Sequence, residues 1–326
     1  MEIGHLMKLT NNSYKKELKL VSQLIKNEIV DEKIIQQLYN YIFKNSGKQL
    51  RPLLSLIASS PDKRKTRKRL KIAAIIELLH TATLVHDDVV DESPTRRGID
   101  TINKNWTNSH GVLIGDFIYS KAFMLMIGLS DMEILDELSK ATNDISKGEL
   151  IQLGLIGKND VSINDLIKVS YFKTGRLFEA SAKCGAILAK KDNKTYINNL
   201  SNFSKYLGIA FQIKDDMLDY SLNSKQLGKP TLQDLSEGKI TYPFYFALKN
   251  ANVKDKKFLL SILGSKKHYK NSKIIEKIEL LGGIKQTEKL LKSYITKSVS
   301  LAKKIDNKQI REEMLNLSQF SYNRTK

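Results

Sequence analysis

The chain has few of the residues that interrupt helices or cross-link secreted proteins. Its 326 residues include 17 glycines, 5 prolines and a single cysteine, Cys184. One cysteine excludes an internal disulfide framework and a cysteine-based zinc site, and it favours a reducing compartment. The scarcity of glycine and proline leaves long stretches free of helix breakers, which favours an all-α fold.

The sequence also lacks an evident membrane segment. Residues 1–20 contain no continuous apolar run of the kind found in signal peptides. The most apolar segment, residues 72–85, is too short for a transmembrane helix and contains Glu77 and His80. We therefore expect a soluble, cytoplasmic protein.

Positive charge is abundant, with a formal net charge of +19. Such an excess suits nucleic acid, an anionic membrane surface or anionic small substrates. The densest basic run, KRKTRKRLK at residues 63–71, has no interleaved aromatic residues and no recognition motif beside it. We interpret it as a solvated connection between helices, with peripheral contact to anionic lipid as the alternative, and we expect no nucleic-acid partner.

Helical periodicity recurs along nearly the whole chain, whereas alternating strand patterns are nearly absent. The predicted helices are residues 14–30, 33–45, 51–60, 67–91, 109–128, 131–147, 163–170, 173–190, 194–220, 240–249, 255–263, 273–280 and 283–305. Residues 75–90 and 203–220 are apolar all round, which is typical of helices buried on every side. We predict a single all-α domain, residues 1–326, built around these two helices.

Each central helix ends in the acidic pattern D-D-x-x-D. The aspartates are Asp87, Asp88 and Asp91 in the first helix and Asp215, Asp216 and Asp219 in the second. Side chains at i and i+4 point from one face, and carboxylates that close together repel each other unless a cation holds them. Oxygen-only clusters suit Mg²⁺, which takes one or two carboxylates with waters and phosphate oxygens. One such motif alone is usually a solvated acidic turn, but two, each after a long apolar helix, predict a metal site.

Cations flank both aspartate clusters. They are Lys48, Arg51, Arg96, Arg97, Lys173 (followed by Thr174), Lys229 and Lys239. Each alone would be interpreted as a surface cation, but together they indicate groups that bind phosphate. His80 lies two helical turns before Asp87 on the same face, where a lone histidine is more often core packing.

These motifs carry a family resemblance. GK-x-x-RP, ELLHTATLVHDDVVD, RRG, KTG, FQIKDDMLD, GK and EGK occur in the order seen in trans-isoprenyl diphosphate synthases, and the sequence resembles the long-chain branch from about residue 20 onward. The resemblance implies an isoprenoid-synthase-type helical bundle around a central apolar cavity, Mg²⁺ as cofactor and a homodimer. It implies condensation of isopentenyl diphosphate with an allylic diphosphate, such as farnesyl diphosphate, to an all-trans polyprenyl diphosphate of octaprenyl type, a precursor of quinone side chains.

Residue roles follow from the matching motifs. Metal binding is implied for Asp87, Asp91 and Asp215, with support from Asp88, Asp216 and Asp219. Isopentenyl diphosphate binding is implied for Lys48, Arg51, His80 and Arg97. Allylic diphosphate binding is implied for Arg96, Lys173, Thr174, Gln212, Lys229 and Lys239. Of these residues, the resemblance implies direct catalytic roles for Asp87, Asp91, Asp215, Lys173 and Lys239.

The sequence departs from the family pattern at two motifs. Ser46 and Gln49 stand where glycine and arginine or lysine are common. Leu232, Gln233 and Asp234 stand where G-D-D is expected, which leaves one acid where two are typical. These changes put one phosphate contact and one water-mediated metal contact in question.

Product length is predicted from small residues near the first aspartate cluster. Thr83 and Ala82 lie four and five residues before Asp87. In short-chain members of the family that this sequence resembles, bulky aromatic residues at this level close the tunnel that holds the growing chain. Small residues here therefore predict a hexaprenyl-to-octaprenyl product. The predicted floor of the tunnel is Phe123, Met126 and Ile127, which share a face by spacing.

The predicted chemistry needs no protein nucleophile. Metal ions and cations would stabilise the departing diphosphate, and the sequence has no G-x-S-x-G, H-E-x-x-H or P-loop motif. The alternatives are a shorter-chain farnesyl or geranylgeranyl synthase, a class I terpene cyclase, a non-catalytic regulatory subunit and a basic polyanion-binding helical protein. A cyclase would need neither the second D-D-x-x-D nor GK-x-x-RP, and a regulatory subunit would not need both aspartate motifs.

Overall fold

Helices make up nearly all the regular structure of the described residues. The structure is a computed structural model that describes residues 12–28, 32–44, 47–62, 66–221, 231–265 and 270–325. The helices are α1 Asn12–Lys26, α2 Lys33–Lys44, α3 Leu50–Ser59, α4 Thr66–Val90, α5 Ile102–Asn105, α6 Asn108–Ile127, α7 Met132–Leu153, α8 Ile163–Ser170, α9 Arg176–Lys190, α10 Lys194–Leu218, α11 Gln233–Ser236, α12 Tyr242–Asn250, α13 Val253–Ile262, α14 Asn271–Leu280, α15 Gly283–Ala302 and α16 Lys308–Asn323. The prediction of an all-α fold is confirmed.

The two apolar helices predicted to be central are α4 and α10. α4 packs most extensively against α6 and α3, and α10 packs against α15 and α9. The middle of α4, from Ile72 to Leu79, is buried at every position, as its all-round apolar sequence predicts. Both helices end at the same cavity, so the aspartates that follow their apolar stretches lie near one another.

A short hairpin follows α4. Strand β1, Thr95–Arg96, pairs antiparallel with β2, Ile99–Asp100, and these are the only strands among the described residues. The two loop residues, Arg97 and Gly98, have φ angles of 55° and 78°. Positive φ at both positions is the two-residue turn that matches the twist of a hairpin, and it turns the Arg96–Arg97 pair back toward the end of α4.

The basic run at residues 63–71 is only partly a solvated connection. Residues 63–65 lie outside the described residues, and α4 begins at Thr66. Arg69 is buried, with its Nη1 atom 2.9 Å from Glu17 Oε1 and its Nε atom donating to Ser59 Oγ at 3.0 Å. The interpretation of this run as solvated is therefore wrong for Arg69, which joins α1, α3 and α4.

One described helix, α6, is long and apolar enough to cross a membrane by length and composition, and 39% of its most apolar window is buried in the chain. It carries Asp116 and Lys121 near its centre, so it contains no uncharged segment of transmembrane length. Its buried side packs on α4, whereas Leu113, Met124 and Ile127 are each more than half exposed.

Candidate active site

The aspartates and most of the predicted cations face one cavity. It has a volume of about 900 Å³ and lies at the ends of α4 and α10. The predicted site residues that line it are Lys48, Arg51, His80, Thr83, Asp87, Asp91, Arg96, Arg97, Lys173, Thr174, Gln212, Asp215, Asp216, Asp219 and Lys239. Residues far apart in the sequence therefore converge on a cavity of the size that proteins use for small substrates.

The first aspartate cluster presents two of its three carboxylates to the cavity. Helical bonding continues past the end of α4, where Asp91 N donates to Asp87 O at 2.8 Å, so the two side chains share a face. Asp88 is buried and accepts a bond from Arg96 Nε at 2.7 Å. Asp88 is not among the residues that line the cavity. Its carboxylate pairs with Arg96 and does not face the cavity as a direct metal ligand would.

The second cluster is arranged in the same way at the end of α10. Asp219 N donates to Asp215 O at 3.2 Å, which again places the first and last aspartates on one face. Asp216 is buried and accepts bonds from Gln212 Nε2 at 2.9 Å and Tyr242 N at 3.4 Å. Burial raises the pKa of Asp216 well above its usual range.

The donor set fits Mg²⁺ that arrives with a diphosphate. Among the residues that the structure describes, no three His, Cys, Asp or Glu side chains are gathered closely enough to hold a metal ion by themselves. Mg²⁺ needs only one or two carboxylates when waters and phosphate oxygens complete its octahedron. Asp87 with Asp91, and Asp215 with Asp219, would hold metal ions in this shared way.

Arg51, His80 and Arg97 form a cationic corner around the buried Glu77. Arg51 Nη1 lies 3.0 Å from His80 Nε2, and its guanidinium stacks 4.7 Å from the ring centre of Phe178. Burial lowers the pKa of Arg51 to about 10 and lowers the pKa of His80 well below its usual value. A neutral imidazole can therefore accept the bond from Arg51 while both cations remain available to a diphosphate.

Gly47 gives the GK-x-x-RP motif its shape. A Cβ atom at this position would lie 2.6 Å from Arg97 Cζ, so a larger residue would require the guanidinium to move. The next residue, Lys48, lines the cavity and places its Nζ atom 5.3 Å from the ring centre of Phe320 in α16. Gln49, a departure from the family pattern, adopts a left-handed conformation with φ 49° and donates to Ser22 Oγ at 3.2 Å.

The KTG motif forms a π-helical turn, Tyr171–Gly175, between α8 and α9. Such turns are uncommon and frequently occur at functional sites. Here the turn directs Lys173 Nζ to Glu149 Oε2 at 2.9 Å and Gln152 Oε1 at 3.0 Å. A Cβ atom on Gly208 would lie 2.7 Å from Gly175 Cα, so a glycine in α10 allows the turn to pack against that helix.

Thr174 and Gln212 connect the π-turn to the second aspartate cluster. Thr174 Oγ1 donates to Gln212 Oε1 at 2.7 Å, and the amide group of Gln212 in turn bonds Asp216. These bonds fix the orientation of the Gln212 amide, which sequence alone could not give.

The remaining cations pair with carboxylates. Lys239 Nζ lies 2.8 Å from Asp91 Oδ1 and 2.7 Å from Glu237 Oε2. Burial lowers the pKa of Lys239, but its bonds to these two carboxylates outweigh that effect and raise the pKa above its usual value. Arg96 pairs with Asp88, as described above. Lys239 and Arg96, which are predicted to bind substrate, are thus paired here with Asp91 and Asp88, which are predicted to bind metal.

Some predicted residues lie elsewhere. Lys229 lies outside the described residues. Ala82 and Met126 are fully buried and do not line the cavity, whereas Ile127 is 68% exposed. The prediction places Phe123, Met126 and Ile127 together at the floor of the tunnel, but adjacent helical positions differ by about 100°, and Ile127 points to solvent in the single chain. Their influence on product length stays a prediction.

Several site residues were not predicted from the sequence. They are Glu77, Glu149, Gln152, Glu237 and Arg324. Glu77 precedes His80 by three positions, so helical spacing could have revealed it. Glu149 and Arg324 have no such local indication, because their partners are distant in the sequence.

Leu232 and Gln233 replace residues of the family pattern without leaving the site open. Leu232 is buried at φ 60°, a left-handed conformation that glycine adopts without strain. Gln233 N approaches Asp219 Oδ1 at 3.3 Å, and its amide donates to Glu237 Oε1 at 2.9 Å. Asp234, the remaining acid, lines the cavity.

Comparison with known proteins covers nearly the whole chain. A sequence profile of the polyprenyl synthetase family matches residues 32–281. The chain is 35% identical over 299 residues to octaprenyl diphosphate synthase of Escherichia coli, which covers 90% of this chain and 91% of that protein. It is 33% identical over 301 residues to an all-trans-nonaprenyl-diphosphate synthase (geranyl-diphosphate specific) of Rhodobacter capsulatus, covering 91% and 92%. The fold matches a polyprenyl synthase of Caulobacter crescentus, crystallised with calcium and isoprenyl diphosphate, with a TM-score of 0.92 and 30% identity over 99% of this chain and 98% of that one.

Proposed function

Because the chain belongs to the polyprenyl synthetase family and is a long-chain trans-prenyltransferase, we propose that it extends an allylic diphosphate with isopentenyl diphosphate to octaprenyl length. The observation that carries this proposal is the convergence of both D-D-x-x-D clusters and both sets of cations on one cavity. The reaction depends on Mg²⁺, and its product serves as a quinone side-chain precursor.

The aspartates and cations would act on the diphosphate leaving group. Asp87, Asp91 and Asp215 would hold Mg²⁺, which would supply positive charge to the departing diphosphate. Lys173 and Lys239 add fixed positive charge from the protein on the allylic side. Charge that develops on the diphosphate as its C–O bond breaks is thereby stabilised more than the charge of the bound substrate.

The second substrate would lie against the cationic corner. Lys48, Arg51 and Arg97 bind its diphosphate, and the neutral His80 orients Arg51. The double bond of isopentenyl diphosphate attacks the allylic cation to form a new C–C bond, and the released diphosphate takes the proton that is lost. No protein nucleophile is needed, and Cys184 is buried away from the cavity.

The chain would work as a cytoplasmic homodimer. The apolar residues Leu113, Met124 and Ile127 form an exposed stripe along α6, spaced so that they recur on one face. A stripe of this kind suits a second copy of the same helix, whereas an isolated soluble chain would leave it in water.

Peripheral contact with anionic lipid would involve the exposed Arg67 and Lys68. A long polyprenyl product would partition into such a membrane. We treat residues 1–326 as one polyprenyl synthetase domain.

Incubation with Mg²⁺, isopentenyl diphosphate and farnesyl diphosphate, followed by sizing of the products, tests this function. We expect octaprenyl products that disappear when a chelator removes Mg²⁺. Accumulation of geranylgeranyl diphosphate, or elongation of a shorter allylic primer that stops at farnesyl diphosphate, would instead identify a shorter-chain synthase. Cyclised hydrocarbons, or no reaction in the presence of Mg²⁺, would contradict the proposal.

A further inference from the structure

Arg324 reaches the second aspartate cluster from the end of α16. Its Nη2 atom lies 2.6 Å from Asp215 Oδ1 and donates to Phe211 O at 2.7 Å. The side chain is only 2% exposed, and its Nε atom is buried without a hydrogen-bond partner among the residues that the structure describes. Burying a guanidinium is costly unless its bonds repay the lost hydration, so these contacts indicate a specific role.

No family motif points to this residue. It lies well beyond residue 281, where the family match ends, and the nearest sequence positions carry no recognisable pattern. The residue lines the same cavity as the predicted substrate cations.

The ion pair engages the carboxylate that the proposed reaction assigns to a metal ion. A guanidinium and a divalent cation that share one carboxylate would lie a few Å apart in a partly buried site, where like charges repel strongly. Mg²⁺ and Arg324 therefore compete for Asp215.

Arg324 also lies on the isopentenyl side of the cavity. Its guanidinium stacks 3.7 Å from the ring centre of Phe211, and the Phe211 and Phe178 rings are 5.5 Å apart. Phe178 in turn carries the stacked guanidinium of Arg51. A short movement away from Asp215 would thus leave Arg324 among the cations that face isopentenyl diphosphate.

We propose that Arg324 is a further substrate-binding cation that exchanges partners during loading of the site. It neutralises Asp215 until a metal ion takes that carboxylate, and it then donates to the diphosphate of isopentenyl diphosphate. The inference rests on the proposed function, because it assigns a partner to Arg324 within the same reaction.

The proposal makes two predictions of opposite sign for Arg324→Gln. Mn²⁺, used as a probe for the metal site and followed by electron paramagnetic resonance with inorganic diphosphate present and isopentenyl diphosphate absent, should bind about fivefold more tightly, because its competitor is gone. The KM for isopentenyl diphosphate should rise about tenfold, because a charge-assisted bond to diphosphate is lost. If Arg324 only stabilised the packing of α16, its replacement would not tighten metal binding.

Two further variants complete the test. Arg311→Gln is the matched control, because Arg311 lies on the same helix and bonds only the Ile305 carbonyl, at 2.8 Å, in the described contacts; it should change neither quantity. Arg324→Met keeps an apolar stem over Phe211 and replaces the glutamine variant if that variant does not fold.

The outcomes separate this proposal from the proposed function. Unchanged or weaker Mn²⁺ binding, or a KM for isopentenyl diphosphate within twofold of the wild-type value, would overturn the role of Arg324. Failure of the wild-type chain to make polyprenyl products would instead overturn the function, and it would leave the Mn²⁺ comparison intact.

Discussion

At the scale of single residues, the site is organised by pairs of opposite charge. Lys239 bonds Asp91, Arg96 bonds Asp88 and Lys173 bonds Glu149, each at 2.7 to 2.9 Å. Without these pairs, the buried cations would repel one another, as would the aspartates. A metal ion can replace the cation bound to a carboxylate, and a diphosphate can replace the carboxylate bound to a cation. Substrate binding can therefore break these pairs without leaving a charge unpaired.

Replacement of a metal-facing aspartate should remove catalysis and leave the fold intact. We expect Asp87→Ala or Asp215→Ala to lower kcat at least a hundredfold, about 3 kcal/mol, because electrostatic stabilisation of the leaving group is lost. Steady-state kinetics and circular dichroism measure the two effects. Asp136→Ala, which breaks an exposed pair with Lys140, is the matched control and should be fully active. A folded Asp87→Ala enzyme with near-normal turnover would disprove the mechanism.

The two groups of cations should separate in substrate kinetics. We expect Arg51→Ala to raise the KM for isopentenyl diphosphate about tenfold, and Lys173→Ala to raise the KM for the allylic substrate by a similar factor. Each variant should leave the other KM within about threefold, since the two side chains lie in different contact networks. Equal effects on both substrates would show that these roles are assigned wrongly. Thermal unfolding serves as the control, because Arg51 lies near the buried Glu77 and Lys173 pairs with the half-buried Glu149.

The sequence reveals the residues of the site better than it reveals their partners. Helical spacing predicts that Asp87 and Asp91 share a face, because that relation is local. The bond between Lys239 and Asp91 joins positions 148 residues apart, so no local pattern could indicate it. The same is true of Arg324, whose position depends on how α16 packs.

At the scale of secondary structure, α4 combines a buried helix with a reactive end. The prediction for residues 67–91 is confirmed by α4, Thr66–Val90, because uniform apolarity is a strong and local property. The π-turn at residues 171–175 was not predicted, since it depends on the contact between Gly208 and Gly175. Helix α16 was also missed, although it supplies Phe320 beneath Lys48.

Product length should depend on the face of α4 that precedes Asp87. Thr83 lines the cavity, whereas Ala82 is fully buried one position away. We expect Ala82→Tyr to shorten the product to about three or four isoprene units, because an aromatic ring at this level blocks the growing chain; overpacking should cost about 1–3 kcal/mol of stability. Chromatographic sizing measures the product. Unchanged length in the folded variant would mean that the chain takes another route.

Helix α6 supplies a second test of the same route. Met126→Ala should lengthen the product by opening space beneath the chain, at a cost of about 2–5 kcal/mol in the free energy of unfolding. Ile127→Ala is the matched control, because Ile127 is exposed and should change neither length nor stability in the single chain. A longer product from Ile127→Ala but not Met126→Ala would place the floor of the tunnel at the exposed face instead.

At the scale of the whole molecule, the exposed face of α6 should decide the oligomeric state. Leu113 and Ile127 are 66% and 68% exposed although the molecule is otherwise rich in surface charge. We expect Leu113→Asp to convert a homodimer into monomers, because an unpaired carboxylate would have to be buried in the interface. Light scattering after size-exclusion chromatography gives the mass of each species. Leu280→Asp is the matched control, since Leu280 is 76% exposed on α14 and should not affect assembly.

A wild-type chain that is monomeric at micromolar concentration would refute the dimer, and a dimeric Leu113→Asp variant would show that the copies meet through another face. Because α6 packs directly on α4, loss of the partner should also lower activity, even though no site residue has been changed.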